Sequence, residues 1–526
     1  MNHLKKASAV GAMTLAGFLA TASSTYAQDI TLRSSDGTVN MNGELVSFED
    51  NSYVIRTALG QLRVSASRVS CTGAACPDLA VGDIDVAASG SDAVGLGLMP
   101  LLLEGYAASM DAAATINNTT QIGQFAAGLV ADQGFGDDIA TIQVTSTGTS
   151  DGLADLLSRR SEIAMAARRI QPVEAEALSA DGAGDMFDPA QEHIVAVDSL
   201  IVITHPDNPI QTMNVRQLLG IYSGAISNWS QVGGPDLPVQ VVIRNVGSNR
   251  RDVFEARIFG SDATALTSDA QVVANSNEVA QAVNANPGAI GVVGYAFQRG
   301  AQSVNIVNQC GITMVPDTFS AKTEEYALQR RLFLYTRGDT LSPEGRDFVE
   351  YATSAEADNV IRKAGFIGFS VDRREQSLED VRAQALLNPN ADPNEVPFMR
   401  QMLARMIDYD RLSTTFRFRT GSSLLDERGR IDKLRLVEYL ETQPAGTEVL
   451  LVGFTDEVGP FSNNLALSER RSAQVTAELQ EFAGTRLNGI SFASVGYGEI
   501  APAGCNASED GRRINRRVEV WIKSPA

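Results

Sequence analysis

The feature that most constrains the fold of this chain is an alternation of strand-like and helical patterns over residues 83–374. Apolar runs such as ATIQVTS, HIVAVDSLIVIT, LPVQVVIR and AIGVVGYA are separated by stretches in which apolar residues recur at helical spacing. This alternation is typical of parallel-type sheets that are covered by helices. The region is longer than most single domains, so we expect an α/β unit with two lobes.

Two further folded segments flank this region. Residues 28–80 contain runs of alternating apolar and polar residues that end at Asp-Gly and Asn-Gly turns, which predicts a small all-β domain. Residues 414–523 alternate strand and helix patterns over a normal domain length, which predicts an α+β sandwich. The charged stretch 376–412, between the α/β region and the C-terminal segment, is interpreted as a helical connector. The predicted fold is therefore multidomain.

The first residues, 1–27, have the layout of a secretory signal. Lys5 and Lys6 precede an apolar stretch that is too short for a comfortable membrane span, and a Thr-Tyr-Ala sequence ends at Ala27. We therefore expect an exported protein.

Export permits disulfide bonds between the four cysteines. Cys71 and Cys76 enclose a short loop, which favours a local disulfide. Cys310 and Cys505 lie far apart in the sequence, and the sequence leaves open whether they pair.

Composition disfavours several classes of function. The chain has 43 Lys+Arg against 63 Asp+Glu and a formal net charge of -20 at pH 7. Nucleic acid is therefore not expected as a partner, because binding phosphates of DNA or RNA needs a basic surface. HExxH, paired CxxC and P-loop motifs are missing from the sequence. His193 and His205 are the histidines that follow the proposed signal, and they give weak support for a catalytic triad. We expect no metal, no cofactor, no catalytic residues and no enzyme activity.

Three loops rich in Ser, Thr and Gly each follow a strand-like run and open a helical pattern. They span residues 89–93, 145–150 and 244–250. The start of a helix exposes unpaired N–H groups and the positive end of the helix dipole, and Arg244 can hold an oxyanion with two hydrogen bonds. Ordinary N-capping explains any one such loop. Three of them in one two-lobed region favour a shared anion cleft.

Several stretches between residues 85 and 367 carry a family resemblance. They are ASGSDAVG, VTSTGTSDGLADLLSRRSEIAMAARRI, VAVDSLIVITHPDNPI, VRQLLGIYSGAISNWSQVGGPDLPVQVVIRNVGSNRRDVFE and PGAIGVVGYA. This pattern resembles the periplasmic phosphate-binding proteins of ABC importers. The resemblance implies a two-lobed fold of the periplasmic-binding-protein type II class and capture of phosphate between the lobes. It leaves open whether an ABC importer is a partner.

The residues that the resemblance implies for phosphate binding are Ser91, Asp92, Thr147, Gly148, Thr149, Arg244, Ser248 and Asn249. The loops nevertheless depart from the family pattern. Ala93 stands where the first loop usually has Thr, the middle loop reads STGTS rather than GSG, and the last reads GSNR where GSGT is typical. Each change removes or moves a hydrogen-bond donor. Another oxyanion, or a site that has lost its ligand, is therefore an alternative.

The C-terminal segment places a carboxylate and a guanidinium in one motif. Asp456 follows the strand-like run EVLLVGF, and Arg471 lies one helical turn beyond Ser468. If the two converge on a pocket, Asp456 suits an ammonium group and Arg471 suits a carboxylate. On chemistry alone, an internal Asp–Arg ion pair is the alternative.

Three motifs in this segment carry a second resemblance: GFTDEVGPFSNNLALSERRSAQV, VGYGEIAP and GRRINRRVEVWIK. Residues 414–523 are similar over their full length to the OmpA-like peptidoglycan-binding domain. The resemblance implies that Asp456 and Arg471 bind the diaminopimelate of the peptidoglycan stem peptide. Four further residues stand at motif positions of the same pocket: Asn464, Leu467, Ser468 and Arg516. Phe454 departs from the family, since many members have His there.

Together the motifs predict an exported solute-binding protein that captures an inorganic oxyanion, with phosphate as the first candidate, while anchored noncovalently to peptidoglycan. The expected location is periplasmic and peptidoglycan-associated, and a position at the outer membrane is left open. The alternative is a structural wall-linking protein whose binding-protein domain contacts a partner instead of a small ligand. An enzyme built on the two-lobed scaffold is a third and weaker hypothesis.

Overall fold

The structure is a computed structural model of the chain. It describes residues 29–33, 40–49, 52–66, 69–73, 75–77, 83–119, 121–245, 249–258, 266–387, 392–418 and 425–525. The proposed signal, residues 1–27, lies outside the described residues. Within the described ranges, no helix combines the length and apolar character that a membrane crossing requires.

The N-terminal part is a five-stranded antiparallel sheet. Its strands are β1 (Asp29–Arg33), β2 (Asn40–Glu49), β3 (Ser52–Thr57), β4 (Gly60–Ser65) and β5 (Ser70–Thr72), in the spatial order β4-β3-β2-β1-β5. Alternate residues such as Ile30 and Leu32 are buried because successive side chains of a strand point to opposite faces. Cys71 and Cys76 form a disulfide in this sheet.

The middle of the chain contains most of the strands. They are β6 (Val86–Gly90), β7 (Ala113–Asn118), β8 (Gln124–Val130), β9 (Asp138–Ser146), β10 (Ile163–Ala166), β11 (Glu192–Thr204), β12 (Thr212–Asn214), β13 (Gln240–Arg244), β14 (Gln271–Val273), β15 (Ala289–Gly294), β16 (Gln302–Ser303), β17 (Asn305–Val307), β18 (Thr313–Met314) and β19 (Gln329–Thr336). An 11-stranded sheet runs in the order β14-β13-β15-β11-β19-β10-β6-β9-β8-β7, with β16 beside β11, and β12, β17 and β18 form a small separate sheet.

The helices of this region cover the sheets. They are α1 (Asp92–Gly95), α2 (Met99–Ser109), α3 (Ala131–Gly134), α4 (Thr149–Leu157), α5 (Pro172–Ala180), α6 (Val215–Tyr222), α7 (Asn249–Ile258), α8 (Ser276–Ala285), α9 (Thr318–Lys322), α10 (Pro343–Thr353) and α11 (Ala357–Lys363). Short 3-10 helices span Trp229–Val232 and Tyr295–Phe297.

Strand β11 joins two lobes with separate apolar cores. Its first half pairs with β19 and its second half pairs with β15, so that Val197 lies opposite Arg331 and Leu200 lies opposite Gly294. We define the first lobe as residues 83–198 with 329–369, and the second lobe as residues 199–328. Fully buried core residues of the first lobe include Val86, Ile142 and Leu334, and those of the second lobe include Leu200, Trp229 and Ile290.

The C-terminal part is a mixed five-stranded sheet between two helical layers. Its elements are β20 (Arg373–Arg374), α12 (Val381–Leu386), α13 (Val396–Asp408), β21 (Asp410–Arg417), α14 (Glu427–Glu441), β22 (Glu448–Gly453), α15 (Phe461–Ala483), a 3-10 helix (Gly484–Leu487), β23 (Ser491–Gly496), α16 (Glu509–Asn515) and β24 (Arg517–Lys523). The strand order is β20-β21-β24-β22-β23. Helices α14 and α15 share one core with the sheet, and α12 and α13 share another.

The stretch interpreted as a connector, 376–412, is a layer of this C-terminal unit. Apolar residues at helical spacing on α12 and α13 are buried against the sheet, where Met402 and Met406 share a core with Trp521. The sheet also begins at β20, well before the predicted boundary at Thr414. Charged residues such as Arg400 and Asp408 of α13 are exposed, whereas Arg382 of α12 pairs with the buried Glu519 of β24. We call residues 371–525 the C-terminal domain.

Candidate functional site

Two of the anion loops meet at one edge of the first lobe. Strands β6 and β9 are parallel neighbours, and Gly90 lies opposite Ser146 where both strands end. The carbonyl oxygen of Gly90 accepts hydrogen bonds from the backbone N–H groups of Thr147 (2.8 Å) and Gly148 (2.9 Å). Helices α1 and α4 therefore begin side by side. This arrangement brings together Ser91, Asp92, Thr147, Gly148 and Thr149.

Glycine is required at two positions of this edge. Gly90 and Gly148 have φ angles of 138° and 140°, a region that side chains rarely adopt. A Cβ atom on Gly90 would also lie 2.1 Å from the carbonyl oxygen of Met165. The N–H of the next residue, Ser91, donates to that same oxygen at 2.8 Å. The close contact between β6 and β10 thus fixes where α1 begins.

Two buried hydroxyl groups at this edge lack hydrogen-bond partners among the described residues. They are Oγ of Ser91, whose side chain is fully buried, and Oγ of Ser146. Leaving a buried polar group unpaired costs about 1–3 kcal/mol, so such a group in a native fold calls for a water or a ligand. Ser146 belongs to the loop 145–150 that the sequence indicated, but it was not among the predicted phosphate-binding residues.

Other groups of the cluster hold the loops in place. Thr149 Oγ1 accepts a hydrogen bond from the N–H of Ala167 at 3.0 Å, and Asp92 Oδ1 accepts one from the N–H of Ala93 at 2.8 Å. The first-turn N–H groups of a helix have no partner within the helix. The edge therefore offers backbone donors and hydroxyl groups, with the carboxylate of Asp92 among them.

Arg168 adds a positive charge beside the middle loop. Its Nη2 donates to Ser150 Oγ at 3.0 Å, and its guanidinium forms two hydrogen bonds with Glu174, at 2.9 Å and 2.7 Å. The hydrogen bond to Glu174 raises the pKa of Arg168 and lowers the pKa of Glu174. Arg168 was not among the predicted site residues, because its contact with Ser150 joins segments that are separated by strand β10.

The third loop lies in the second lobe. Arg244 ends β13, and its Nη2 donates to the carbonyl oxygen of Ala274 at 3.0 Å. Arg251 on α7 donates from Nη1 to the carbonyl oxygen of Arg244 at 3.1 Å and pairs with Glu255 at 2.6 Å. Asn249 begins α7, and Ser248 lies outside the described residues. Arg244 thus belongs to the opposite lobe from the Ser91 cluster.

A small pocket lies beside Arg244. Its lining combines two arginines and a carboxylate with apolar groups and a phenol, contributed by Tyr222, Ile243, Arg244, Arg251, Phe254, Glu255, Leu266 and Val292. Burial raises the pKa of the Tyr222 phenol far above its usual range. This phenol therefore stays neutral.

In the C-terminal domain, Asp456 forms an ion pair with Arg516. Asp456 follows β22, and its Oδ2 accepts a hydrogen bond from Arg516 Nη1 at 2.8 Å. Its other oxygen, Oδ1, accepts from the N–H of Val458 at 3.1 Å. Arg516 also contacts Glu509 Oε1 at 3.3 Å. Asp456 and Arg516, both sequence candidates, are therefore in direct contact.

Arg471 and Asn464 lie on the buried face of α15 with unpaired donors. Arg471 is 8% exposed, lies over the ring of Phe418 at 4.9 Å, and its Nη1 has no hydrogen-bond partner among the described residues. Asn464 is 4% exposed, and its Nδ2 is likewise unpaired there. Burial lowers the pKa of Arg471 and nearby Arg516 lowers it further, while Asp456 raises it. The pocket thus holds unused donors close to a carboxylate.

Ser468 has a supporting position. It is fully buried, its Oγ donates to the carbonyl oxygen of Leu465 at 2.7 Å, and it accepts from the N–H of Gly498 at 2.9 Å. The bond with Gly498 holds α15 against the segment that follows β23. Leu467 is half-buried on the same helix.

Two family models match the chain. Residues 107–356 match a PBP superfamily domain, and residues 417–516 match the OmpA family. Both matches agree with the resemblances drawn from the motifs.

Individual relatives match the same two regions. The phosphate-binding protein PstS of Borreliella burgdorferi is 26% identical over 228 residues, which cover 42% of this chain and 77% of that protein. The peptidoglycan-associated lipoprotein of Legionella pneumophila is 43% identical over 82 residues, which cover 16% of this chain and 44% of that protein. A crystal structure of an ABC-type phosphate transport receptor from Vibrio cholerae aligns with 54% of this chain and 98% of its own, at 22% identity and a TM-score of 0.40. This chain therefore combines a PBP superfamily domain with a C-terminal domain of the OmpA family.

Proposed function

We propose that this protein is an exported, periplasmic solute-binding protein that captures an inorganic oxyanion, with phosphate as the first candidate. Its C-terminal domain holds it noncovalently on peptidoglycan. The observation that carries the first part is the pair of buried, unpaired hydroxyl groups of Ser91 and Ser146 at the edge where two helices begin. An oxyanion presents acceptor oxygens on every side, which suits hydroxyls and helix-start N–H groups.

Arg244 supplies the positive charge from the second lobe in this proposal. A guanidinium at the end of β13 gives an anion a partner on the lobe opposite the Ser91 cluster. Ser91, Asp92, Thr147, Gly148, Thr149 and Arg244 remain our candidate ligand residues, together with Ser248 and Asn249 of the third loop. Relatives named as phosphate-binding proteins support phosphate as the first anion to test.

The wall-binding part of the proposal rests on the pocket around Arg471. The unpaired Nη1 of Arg471 and Nδ2 of Asn464 suit a carboxylate, and Asp456 suits an ammonium group that replaces Arg516 as its partner. Diaminopimelate in the stem peptide carries both groups on one residue. The relative named as a peptidoglycan-associated lipoprotein supports peptidoglycan as the partner to test.

One set of observations favours the alternative of a structural wall-linking protein. Arg244 already donates to Ala274, and the amides of Thr147 and Gly148 already donate to Gly90. Asp92 adds a negative charge to the cluster, which opposes an anion. In the alternative, the solute-binding domain contacts a macromolecular partner and the cleft holds no small ligand.

Isothermal titration of the mature protein with inorganic phosphate separates these two functions. The proposal predicts saturable heat that is lost in Arg244→Ala and retained in Arg216→Ala, an exposed arginine of the same lobe. If millimolar phosphate gives no heat with the unmodified protein, phosphate capture is rejected and the structural alternative is favoured.

A further inference from the structure

The C-terminal domain contacts both lobes of the solute-binding domain. Its sheet packs with α14 in a single apolar core, so that α14 and the sheet form one body. One contact region faces the first lobe and one faces the second, and a third set of contacts involves the interlobe segment, residues 323–328 between α9 and β19. Domains in one chain move relative to each other unless their interface is extensive.

The contact with the first lobe is made by α14. Arg435 Nη2 donates to the carbonyl oxygen of Thr353 at the end of α10, at 3.0 Å. Arg428 lies 5.1 Å from the ring centre of Phe369, and Ile431 packs against the apolar core that contains Phe369. One face of α14 is therefore buried on the first lobe.

The contact with the second lobe is partly covalent. Cys310 lies in the turn between β17 and β18, and it forms a disulfide with Cys505 in the segment before α16, across a sequence separation of 195. In a second contact, Arg374 Nη2 pairs with Asp317 Oδ2 at 2.6 Å, and its guanidinium lies 3.9 Å from the ring centre of Phe319. The sequence alone left open whether these two cysteines pair.

Glu324, in the interlobe segment at the end of the second lobe, is in contact with the C-terminal domain. Its side chain is 1% exposed and pairs with Arg331 of β19. It also pairs with Arg513 at 2.9 Å and with Arg417 and Arg428 at 3.6 Å each, and these three arginines belong to the C-terminal domain. The neighbouring Glu325 pairs with Arg411 of β21. A buried carboxylate among several guanidinium groups keeps its geometry only while all of them stay in place.

We propose that the C-terminal domain acts as a brace that fixes the angle between the two lobes. Rotation of the second lobe against the first would pull Cys310 and Thr353 in different directions relative to one rigid sheet. The disulfide cannot yield, so such a rotation must break either the α14 contact or the ion pairs of Glu324. The cleft is therefore held at one opening, whatever ligand it binds.

The distance between the lobes in the full mature protein tests this proposal. Spin labels on unnatural amino acids at Phe135 of the first lobe and Val272 of the second, both highly exposed, report this distance by pulsed electron resonance. We expect one narrow distance distribution that phosphate does not shift. The triple variant Cys310→Ser, Cys505→Ser and Arg435→Ala removes one contact on each lobe, and we expect its distribution to broaden.

The control is the pair Cys71→Ser and Cys76→Ser, which removes the disulfide of the N-terminal sheet and should leave the distribution narrow. A broad distribution in the unmodified protein, or a shift on adding phosphate, overturns the proposal. An unchanged narrow distribution in the folded triple variant overturns it as well. If the triple variant does not fold, Arg435→Ala alone replaces it. The measurement without ligand keeps its meaning even if the cleft does not bind phosphate.

Discussion

Asp456 and Arg516 form an ion pair at 2.8 Å, so the wall binding that we propose requires a ligand ammonium to replace Arg516 beside Asp456. Arg471 lies close by, and its Nη1 has no hydrogen-bond partner among the described residues. Arg516 therefore neutralises Asp456 without a ligand, while Arg471 keeps a positive charge and a donor for a carboxylate.

Removing either charge of this pocket should abolish binding to peptidoglycan. We expect Asp456→Ala and Arg471→Ala each to stay in the supernatant when mixed with purified sacculi, because each loses one partner of a zwitterionic ligand. Sedimentation followed by gel analysis measures the bound fraction. Arg470→Ala changes the exposed neighbour of Arg471 and should pellet like the unmodified protein. Equal pelleting of all variants contradicts this assignment.

The hydroxyl groups of Ser91 and Ser146 should contribute more to ligand binding than to the stability of the fold. We expect Ser91→Ala and Ser146→Ala to leave the unfolding temperature without phosphate nearly unchanged, because neither hydroxyl has a hydrogen bond with any described residue. Each should reduce the rise in unfolding temperature that phosphate causes. Ser89→Ala is the matched control, since Ser89 Oγ donates to Ser161 Oγ at 3.1 Å and its loss should destabilise the protein without ligand. A ligand-induced rise that both serine variants retain would rule out their role.

The helical layer of the C-terminal domain should contribute to its stability. We expect Met402→Ala to lower the free energy of unfolding by about 2–5 kcal/mol, because Met402 is fully buried in the core with Trp521. Urea unfolding measures the change. The exposed neighbour Arg400→Ala should have little effect. If Met402→Ala also has no effect, residues 376–412 behave as a loose connector.

The contact around Glu324 should weaken in acid. Burial raises the pKa of Glu324, but the four surrounding arginines outweigh burial and hold it well below its usual range. The folded state is therefore stabilised above the unfolded pKa of about 4.3, and this stabilisation is lost as the pH falls below that value.

Glu324→Gln tests this pH dependence. We expect the variant to be less stable than the unmodified protein by about 3–5 kcal/mol at pH 7, because it leaves several buried guanidinium groups without their carboxylate. The difference should shrink as the pH is lowered toward the folded pKa. Urea unfolding across this pH range measures it, with exposed Glu344→Gln as the control. A difference that stays constant with pH is the contradictory result.

Local patterns in the sequence indicated much of this architecture. The βα alternation and the loop motifs predicted the two-lobed region, and the strand before Asp456 and the helix that carries Arg471 were recognisable from motif spacing. These features depend on residues that are close in sequence. Local motif spacing did not predict the ion pair between Asp456 and Arg516, because Arg516 lies 60 residues further along the chain.

Contacts between domains could not be predicted either, because their partners are far apart in the sequence. The Cys310–Cys505 disulfide and the pairing of Glu324 with Arg513 join segments that only the folded chain brings together. Charged residues on the helices of 376–412 obscured the buried positions such as Met402, because a helix that covers one face of a sheet is polar on its other face. The sequence also did not predict that the hydroxyl group of Ser146 is buried, since this depends on how the folded chain packs around it.

The most direct test of the central claim is a co-sedimentation of radiolabelled phosphate with sacculi and the mature protein. We predict that the unmodified protein carries phosphate into the pellet in proportion to the protein bound. Arg244→Ala should pellet without phosphate, and the double variant Asp456→Ala with Arg471→Ala should leave both protein and phosphate in the supernatant. Protein that pellets with no more phosphate than sacculi alone would contradict the account.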